Sequence, residues 1–232
     1  MSEQYRVRST GDRIPVRRVI VSVADKRNLG ELAEGLLNAN PGVVFYSTGG
    51  TLKRLEEILG ERAQRHLMAI SEYTQQKEMA GGLVKTLDYR IYLGLLADAE
   101  NAEHMAHLSE AGAVAFDMTV VNLYPFSRQV ANHPNDVEGA RQNIDIGGPT
   151  LIRAAAKNFL RVAVVSNPDS YGGILEELSQ SDGALSLATR YRLAREAFAH
   201  TAQYDTGISA WLDSHSDVSL ESIYSTFQRS TR

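Results

Sequence analysis

The segment Val43-Val44-Phe45-Tyr46-Ser47-Thr48-Gly49-Gly50 leads from an apolar run through two hydroxyl residues into a pair of glycines. β-Branched and aromatic residues bounded by glycine favour a strand. Residues 51–59 follow with apolar side chains three and four apart, which is the spacing of an amphipathic helix. The segment therefore predicts a strand, a loop and a helix in succession.

The same alternation recurs along the chain. Strands are predicted at residues 19–23, 43–46, 91–96, 118–123 and 161–165, and helices at 28–39, 51–59, 102–111, 170–179 and 185–212. Strands that alternate with helices usually form parallel sheets covered by those helices. We therefore expect an α/β domain with a mainly parallel, twisted sheet and a C-terminal helical extension.

The last predicted helix carries an apolar stripe, so it should cover the sheet or contact a partner subunit. The stripe contains Leu187, Tyr191, Ala194, Phe198, Thr201 and Ile208. No linker-like segment divides the chain, which favours one compact domain. The predicted organisation is a flexible, arginine-rich arm over residues 1–17, one domain over 18–213, and a tail over 214–232.

The composition excludes several classes of protein. The chain has 232 residues, a formal charge of −4 and no cysteine. Without cysteine there are no disulfides, thiolate metal ligands or cysteine nucleophile. His104 and His107 lie three residues apart on a predicted helix but lack a nearby third ligand, so we predict no metal site. The charge and the absence of a long apolar run predict a cytoplasmic protein that binds neither nucleic acid nor membrane.

Polar residues follow the first two predicted strands, at the sheet edge where parallel α/β proteins bind their ligands. Thr48, Gly49 and Gly50 can hold a phosphate at a helix N-terminus, or they can simply cap the helix and form the turn. Lys26, after the first strand, can reach the same anion. The residues alone leave both interpretations open.

Two further segments carry reactive side chains. Lys85 and Thr86 follow a glycine pair at 81–82, and Tyr124 follows Asn122 at the exit of an apolar strand. A tyrosine at such a position can donate a proton, or it can pack with one edge in water. Taken singly, Tyr124 favours the packing interpretation.

The stretch from Asn143 to Asn158 places Asp145 before an alanine-rich helix that ends in Lys157, with Pro149 predicted at the first helical position. An acid before a helix and a lysine at its end are both ordinary dipole chemistry. If the run is helical, the two charged residues lie about 15 Å apart along the axis. One pocket holds both only if the chain bends or a second subunit contributes.

Together these segments resemble the inosine monophosphate (IMP) cyclohydrolase domain of the bifunctional purine-biosynthesis enzyme that also carries AICAR transformylase. The likeness extends over residues 19–212 and rests on several motifs in a fixed order. They are Ser22-Val23-Ala24-Asp25-Lys26, Ser47-Thr48-Gly49-Gly50, Ser71-Glu72-Tyr73-Thr74, Val84-Lys85-Thr86-Leu87, Asn122-Leu123-Tyr124-Pro125-Phe126, residues 143–158, and Phe198-Ala199-His200-Thr201-Ala202-Gln203-Tyr204-Asp205.

The resemblance implies a methylglyoxal-synthase-like three-layer fold, a homodimer, and closure of formyl-AICAR to IMP with loss of water and without a metal or organic cofactor. It places Lys85, Tyr124, Asp145 and Lys157 around the reacting groups as catalytic residues. The predicted residues for binding the ribonucleotide monophosphate are Ser22, Lys26, Ser47, Thr48, Gly49, Gly50, Thr86, Asn122, Gly147 and Gly148. Because the chain stops soon after Trp211, a separate AICAR formyl transferase is an expected partner.

Residues 83–94 depart from the family pattern, which has an arginine in place of Leu83 and histidines in place of Asp88 and Tyr92. Arg90 offers a substitute cation from a nearby position. Loss of a guanidinium beside an anion weakens its binding. Two alternatives therefore stay open: a diverged homologue that acts on a related carboxamide nucleotide, and a catalytically silent nucleotide-binding subunit.

Overall fold

A computed structural model describes residues 6–7, 9–76, 85–124, 126–216, 220 and 223–224. The strands are β1 Arg13–Pro15, β2 Arg18–Val23, β3 Val44–Ser47, β4 Leu67–Ala69, β5 Met118–Asn122, β6 Ala163–Val165 and β7 Ala184–Ser186. The helices are α1 Leu29–Ala39, α2 Gly49–Leu59, α3 Ala63–His66, α4 Ile70–Thr74, α5 Tyr89–Leu96, α6 Ala102–Glu110, α7 Phe126–Asn132, α8 Val137–Gln142, α9 Gly147–Lys157, α10 Tyr171–Ser179 and α11 Leu187–Asp213. Leu83 and Pro125, which belong to segments discussed above, lie outside the described residues, as does most of the predicted tail.

The central sheet is parallel, with the strand order β4-β3-β2-β5-β6. Side chains of β2 alternate between its faces, because successive residues of a strand point to opposite sides. Val19 and Val21 pack with α1, α2 and α10, whereas Ile20 packs with α5, α9 and α11. The two apolar clusters produce three layers, which confirms the predicted α/β architecture.

The predicted strand over residues 91–96 is wrong, because this segment forms helix α5. Asp88 begins the helix by accepting a hydrogen bond from the Arg90 amide, and Ile91 and Leu95 fall on its buried face. The strand beside β3 is instead β4, which is three residues long and half-buried throughout. So short a strand shows no period-two pattern that sequence analysis can detect.

Helix α11 packs along α9 and β6 and covers one face of the sheet. Its buried face contains Leu193, Ala197 and Tyr204, whereas Tyr191 and Phe198 are 51% and 40% exposed. The predicted stripe is therefore divided: Ala194 and Thr201 are buried, whereas the two aromatic residues are left exposed, and contact with a partner subunit stays a prediction for them. Neither α11 nor any other helix in the described ranges is both long and apolar enough to cross a membrane.

Residues 9–17 were expected to belong to a flexible arm, but part of this segment is bonded to the rest of the protein. Strand β1 pairs antiparallel with β7. The guanidinium of Arg190, a fully buried residue, donates hydrogen bonds to the carbonyl groups of Gly11 and Asp12 and also to that of Leu160. A buried guanidinium must have its donors satisfied, and the segment supplies acceptors for it. The predicted boundary at residue 17 stays a prediction.

Candidate active site

The strand order reverses direction at β2 and β5. From β2 the chain proceeds to β3 and β4 on one side, and β5 and β6 lie on the other. The crevice beyond the carboxyl ends of two such strands is the usual ligand site of an open α/β sheet. Here this edge carries the loop after Val23 and the residues that follow Asn122.

Asn122, at the end of β5, is hydrogen-bonded to the loop that follows β2. Its side-chain oxygen accepts hydrogen bonds from the amides of Ala24 (2.7 Å) and Asp25 (2.8 Å), and its side-chain nitrogen donates to the Asp25 carbonyl at 2.9 Å. The residue is largely buried. Asn122 was predicted to bind substrate, but its side-chain groups are occupied in holding the loop that carries Lys26.

A cavity of about 530 Å³ opens at the same edge of the sheet, and many of the predicted site residues line it. Its volume falls within the range of pockets that bind small molecules. The described lining residues are Ser22, Thr48, Lys85, Thr86, Leu87, Tyr124, Gln129, Gln142, Asn143, Ile144, Asp145, Ile146, Gly147 and Gly148. Three of the four predicted catalytic residues, Lys85, Tyr124 and Asp145, therefore share one cavity.

Two lysines converge on the N-terminus of α2, beside this cavity. Gly49 has a φ of 56°, a left-handed conformation that glycine adopts without strain. A Cβ on Gly49 would lie 3.6 Å from Lys85 Nζ, and one on Gly50 would lie 4.0 Å from Lys26 Nζ. Two cations and a helix N-terminus together favour an anion.

Ser47 does not belong to this anion site. It is fully buried, and its hydroxyl donates a hydrogen bond to the Val21 carbonyl at 2.8 Å. The side chain therefore joins β3 to β2 instead of lining the cavity. Its neighbour Thr48 does line the cavity.

Asp145 lies in the short connection between α8 and α9. One carboxylate oxygen accepts a hydrogen bond from the Gly148 amide at 3.0 Å, so the acid does sit at the helix start, as predicted. Its own amide donates to the Tyr204 hydroxyl at 2.8 Å. Helix α9 begins at Gly147, two residues before the predicted Pro149. The carboxylate is thus held in place beside the cavity.

Lys157 lies at the other end of α9 and lines a different cavity of about 960 Å³. The walls of this second cavity come from α5, α9 and α11 and include Tyr92, Arg153, Tyr191 and Phe198. Within one chain the structure does not bring Lys157 into the cavity that contains Asp145. The length of α9 predicts this separation, because Asp145 and Lys157 can share one pocket only if the chain bends or a second subunit contributes.

The departures from the family pattern at Asp88 and Tyr92 lie outside the first cavity. Asp88 caps α5 and accepts a hydrogen bond from the Gln76 side chain. Tyr92 faces the second cavity. Arg90 donates to the Tyr73 carbonyl at 3.1 Å and is not a lining residue, so it does not replace the missing guanidinium.

Sequence reasoning missed two groups of residues. Gln129, Gln142 and Asn143 line the first cavity, and closeness in sequence to Tyr124 and Asp145 was the available signal. Tyr204 belongs to a motif that supports the family resemblance, but no spacing rule connects it to a residue 59 positions earlier. In the described ranges, no group of three histidine, aspartate or glutamate side chains is arranged to hold a metal.

Comparison with known proteins places this architecture in a family. The family model described as "MGS-like domain" matches residues 28–150, more than half of the chain. This chain belongs to the MGS-like domain family. A second family model, the AICARFT/IMPCHase bienzyme, matches residues 155–232, so the predicted resemblance is confirmed.

Individual relatives agree with both family models. The MGS-like chain is 46% identical over 202 residues to the bifunctional purine biosynthesis protein PurH of Mycobacterium marinum, and 40% identical over 216 residues to that of Ruminiclostridium cellulolyticum. These matches include 87% and 92% of this chain but only 37% and 40% of the relatives. A solved structure titled "Crystal structure of ForH" superimposes with a TM-score of 0.71 and 30% identity, covering 85% of this chain and 99% of that one.

Proposed function

We propose that the first cavity closes the ring of formyl-AICAR to give IMP and water. The observation that carries this proposal is the convergence of Lys85, Tyr124 and Asp145 on one cavity beside an anion site. The similarity to PurH proteins supports the same reaction class. The ribonucleotide phosphate would bind at the N-terminus of α2, near Lys26.

The reaction joins a weak nucleophile to a weak electrophile. The carboxamide nitrogen attacks the formyl carbon and gives up one proton, and the formamido nitrogen gives up a second proton as its double bond to that carbon forms. The formyl oxygen takes up both protons and leaves as water. The site must hold the two groups at reacting distance and stabilise negative charge on the oxygen. No step requires a metal or an organic cofactor.

Each of the three convergent residues suits one part of this reaction. Asp145 accepts the amide proton. Among the described residues its carboxylate accepts one hydrogen bond, from the Gly148 amide, and a carboxylate has several further acceptor positions. Lys85 polarises the formyl oxygen. Tyr124, which is 59% exposed beside the cavity, donates a hydrogen bond to the oxygen as it leaves.

We propose that the protein acts as a homodimer, because Lys157 lies outside the first cavity of its own chain. The second cavity presents exposed Leu96, Tyr191 and Phe198 together with Arg153. Aromatic and arginine side chains are enriched at protein interfaces. A second copy seated there would bring Lys157 to a shared site. An AICAR formyl transferase is the expected functional partner, because the substrate must first be formylated.

A diverged substrate is the second candidate. Among the described lining residues of the first cavity, the cation is Lys85 and there is no arginine. Lys26, beside the cavity, would bind the phosphate as a point charge, without the bidentate geometry of a guanidinium. This observation favours a related carboxamide nucleotide whose anionic group is bound less tightly.

A spectrophotometric assay with formyl-AICAR tests the main proposal, with calorimetry on IMP and xanthosine monophosphate in parallel. We expect turnover without added metal and binding of at least one monophosphate. Binding without turnover would support a diverged substrate or a silent subunit. If neither monophosphate binds and formyl-AICAR is not consumed, the nucleotide site itself is rejected.

A further inference from the structure

Asp145 lies in the loop between α8 and α9, so the direction of its carboxylate is not fixed by a helix or a strand. Residues 143–146 lie between the two helices and belong to neither. Among the described residues, the carboxylate accepts one hydrogen bond, from the Gly148 amide at 3.0 Å. The direction of the side chain therefore depends on how the Asp145 backbone is held.

The Asp145 backbone is held from α11. Its amide donates a hydrogen bond to the Tyr204 hydroxyl at 2.8 Å. Tyr204 is 8% exposed, and its ring belongs to the apolar cluster that also contains Leu151 and Ile152 of α9. Because α11 packs along α9, the phenol oxygen occupies a position fixed by both helices.

We propose that Tyr204 is a positioning residue for Asp145, a role that rests on the proposed cyclohydrolase function. The phenol oxygen accepts a hydrogen bond from the Asp145 amide and thereby fixes the backbone from which the carboxylate projects. Burial raises the pKa of the Tyr204 phenol, so the hydroxyl is neutral across the neutral pH range. Part of the C-terminal region thus completes a site whose proposed catalytic base, Asp145, lies in the MGS-like region.

Tyr204→Phe removes this acceptor and keeps the ring that fills the core. A carboxylate displaced by about 1 Å can lower turnover by about 100-fold. We expect kcat to fall by roughly 10- to 100-fold and KM to change by less than about 3-fold, because the nucleotide contacts lie on other elements. Tyr171→Phe is the matched control: it removes a phenol from a buried tyrosine on the opposite face of the sheet and should leave kcat unchanged.

Combining Tyr204→Phe with Asp145→Asn separates positioning from general loss of structure. If Tyr204 acts through the carboxylate, the double variant is no slower than Asp145→Asn alone. An equal loss in both backgrounds, or wild-type kcat in Tyr204→Phe, would overturn the positioning role.

Amide hydrogen exchange gives a readout that does not depend on turnover. The Asp145 amide should exchange faster in Tyr204→Phe, while amides of α10 keep their wild-type rates. An unchanged Asp145 rate would overturn the proposal even if turnover falls. If the wild-type protein does not convert formyl-AICAR, the proposed function fails, whereas the exchange experiment still decides whether Tyr204 holds Asp145.

Discussion

The charged side chains at the two ends of α9 differ in how closely residues of the same chain surround them. At the N-terminal end, Asp145 is hydrogen-bonded to the Gly148 amide and to Tyr204, and the first cavity opens beside it. At the C-terminal end, Lys157 lines the larger second cavity together with the exposed residues Tyr191 and Phe198. The first end borders the cavity of the proposed active site. The second end presents exposed aromatic side chains, and it is there that we propose a second copy binds.

The difference follows from packing around the two ends. A Cβ on Gly148 would lie 2.6 Å from Leu123 Cδ2 and would also clash with the Asp145 carboxylate, so the N-terminal end is filled. At the C-terminal end, Tyr191 and Phe198 of α11 are exposed, and Arg153 Cζ lies over the Phe198 ring, 5.6 Å from its centroid. The contacts of one chain therefore hold Asp145 in place, whereas Lys157 stays exposed at the second cavity.

The largest expected effect is the loss of the proposed base, Asp145. Asp145→Asn should lower kcat by about 100- to 10,000-fold with little change in KM, because the amide cannot accept the substrate proton. Steady-state kinetics with formyl-AICAR measures this. Asp136→Asn is the matched control, since asparagine caps α8 as well as aspartate does and removes an equal charge. Unchanged turnover in Asp145→Asn would remove the residue from the role of base.

The next effect tests whether the other end of α9 belongs to the same site. Lys157→Met should lower kcat by about 100-fold by removing a cation from the reacting oxygen. Mixing it with Asp145→Asn should restore about a quarter of wild-type turnover, because half of the random dimers then have one intact site. Absence of recovery, with dimers shown to exchange, would mean that the two residues do not share a site across subunits.

A smaller effect tests the close packing at the N-terminal end. Gly148→Ala should lower the free energy of unfolding by about 1–3 kcal/mol, because the added methyl group overlaps Leu123. Gly173→Ala in α10 meets no atom within 4 Å and should be neutral or slightly stabilising. Urea unfolding compares the two. Equal stability of both variants would show that the Gly148 end is more loosely packed than the structure indicates.

The smallest effect concerns α11, which contacts both ends. Burial lowers the pKa of His200, whose Nε2 has no hydrogen-bond partner among the described residues. The unfolded chain then takes up a proton near pH 6.5, before the folded chain does, so stability is lost as pH falls below about 6.5. His200→Gln should reduce the drop in Tm between pH 7.5 and 5.5, whereas His107→Gln, on the exposed face of α6, should not. An identical drop in both variants would exclude His200 as the source.

Local patterns predicted most of the elements but not all of their types. Strand β2 follows from a β-branched run, and helix α2 follows from the spacing of its apolar residues. Both patterns extend over only a few residues. Residues 91–96 were mistaken for a strand, because aromatic and branched residues suit both structures. The capping hydrogen bond from Asp88 and the burial of Ile91 and Leu95 decided for a helix.

The sequence by itself determined the α/β class, the family, and which reactive side chains follow which strands, because each depends on short-range spacing or on motif order. Only the tertiary structure decided that Lys85, Tyr124 and Asp145 meet in one cavity while Lys157 does not, and that Tyr204 reaches Asp145 across 59 residues. These relations depend on how α9 and α11 are rotated and packed against the sheet. Helix rotation is set by the sum of many side-chain contacts, which no single stretch of sequence contains.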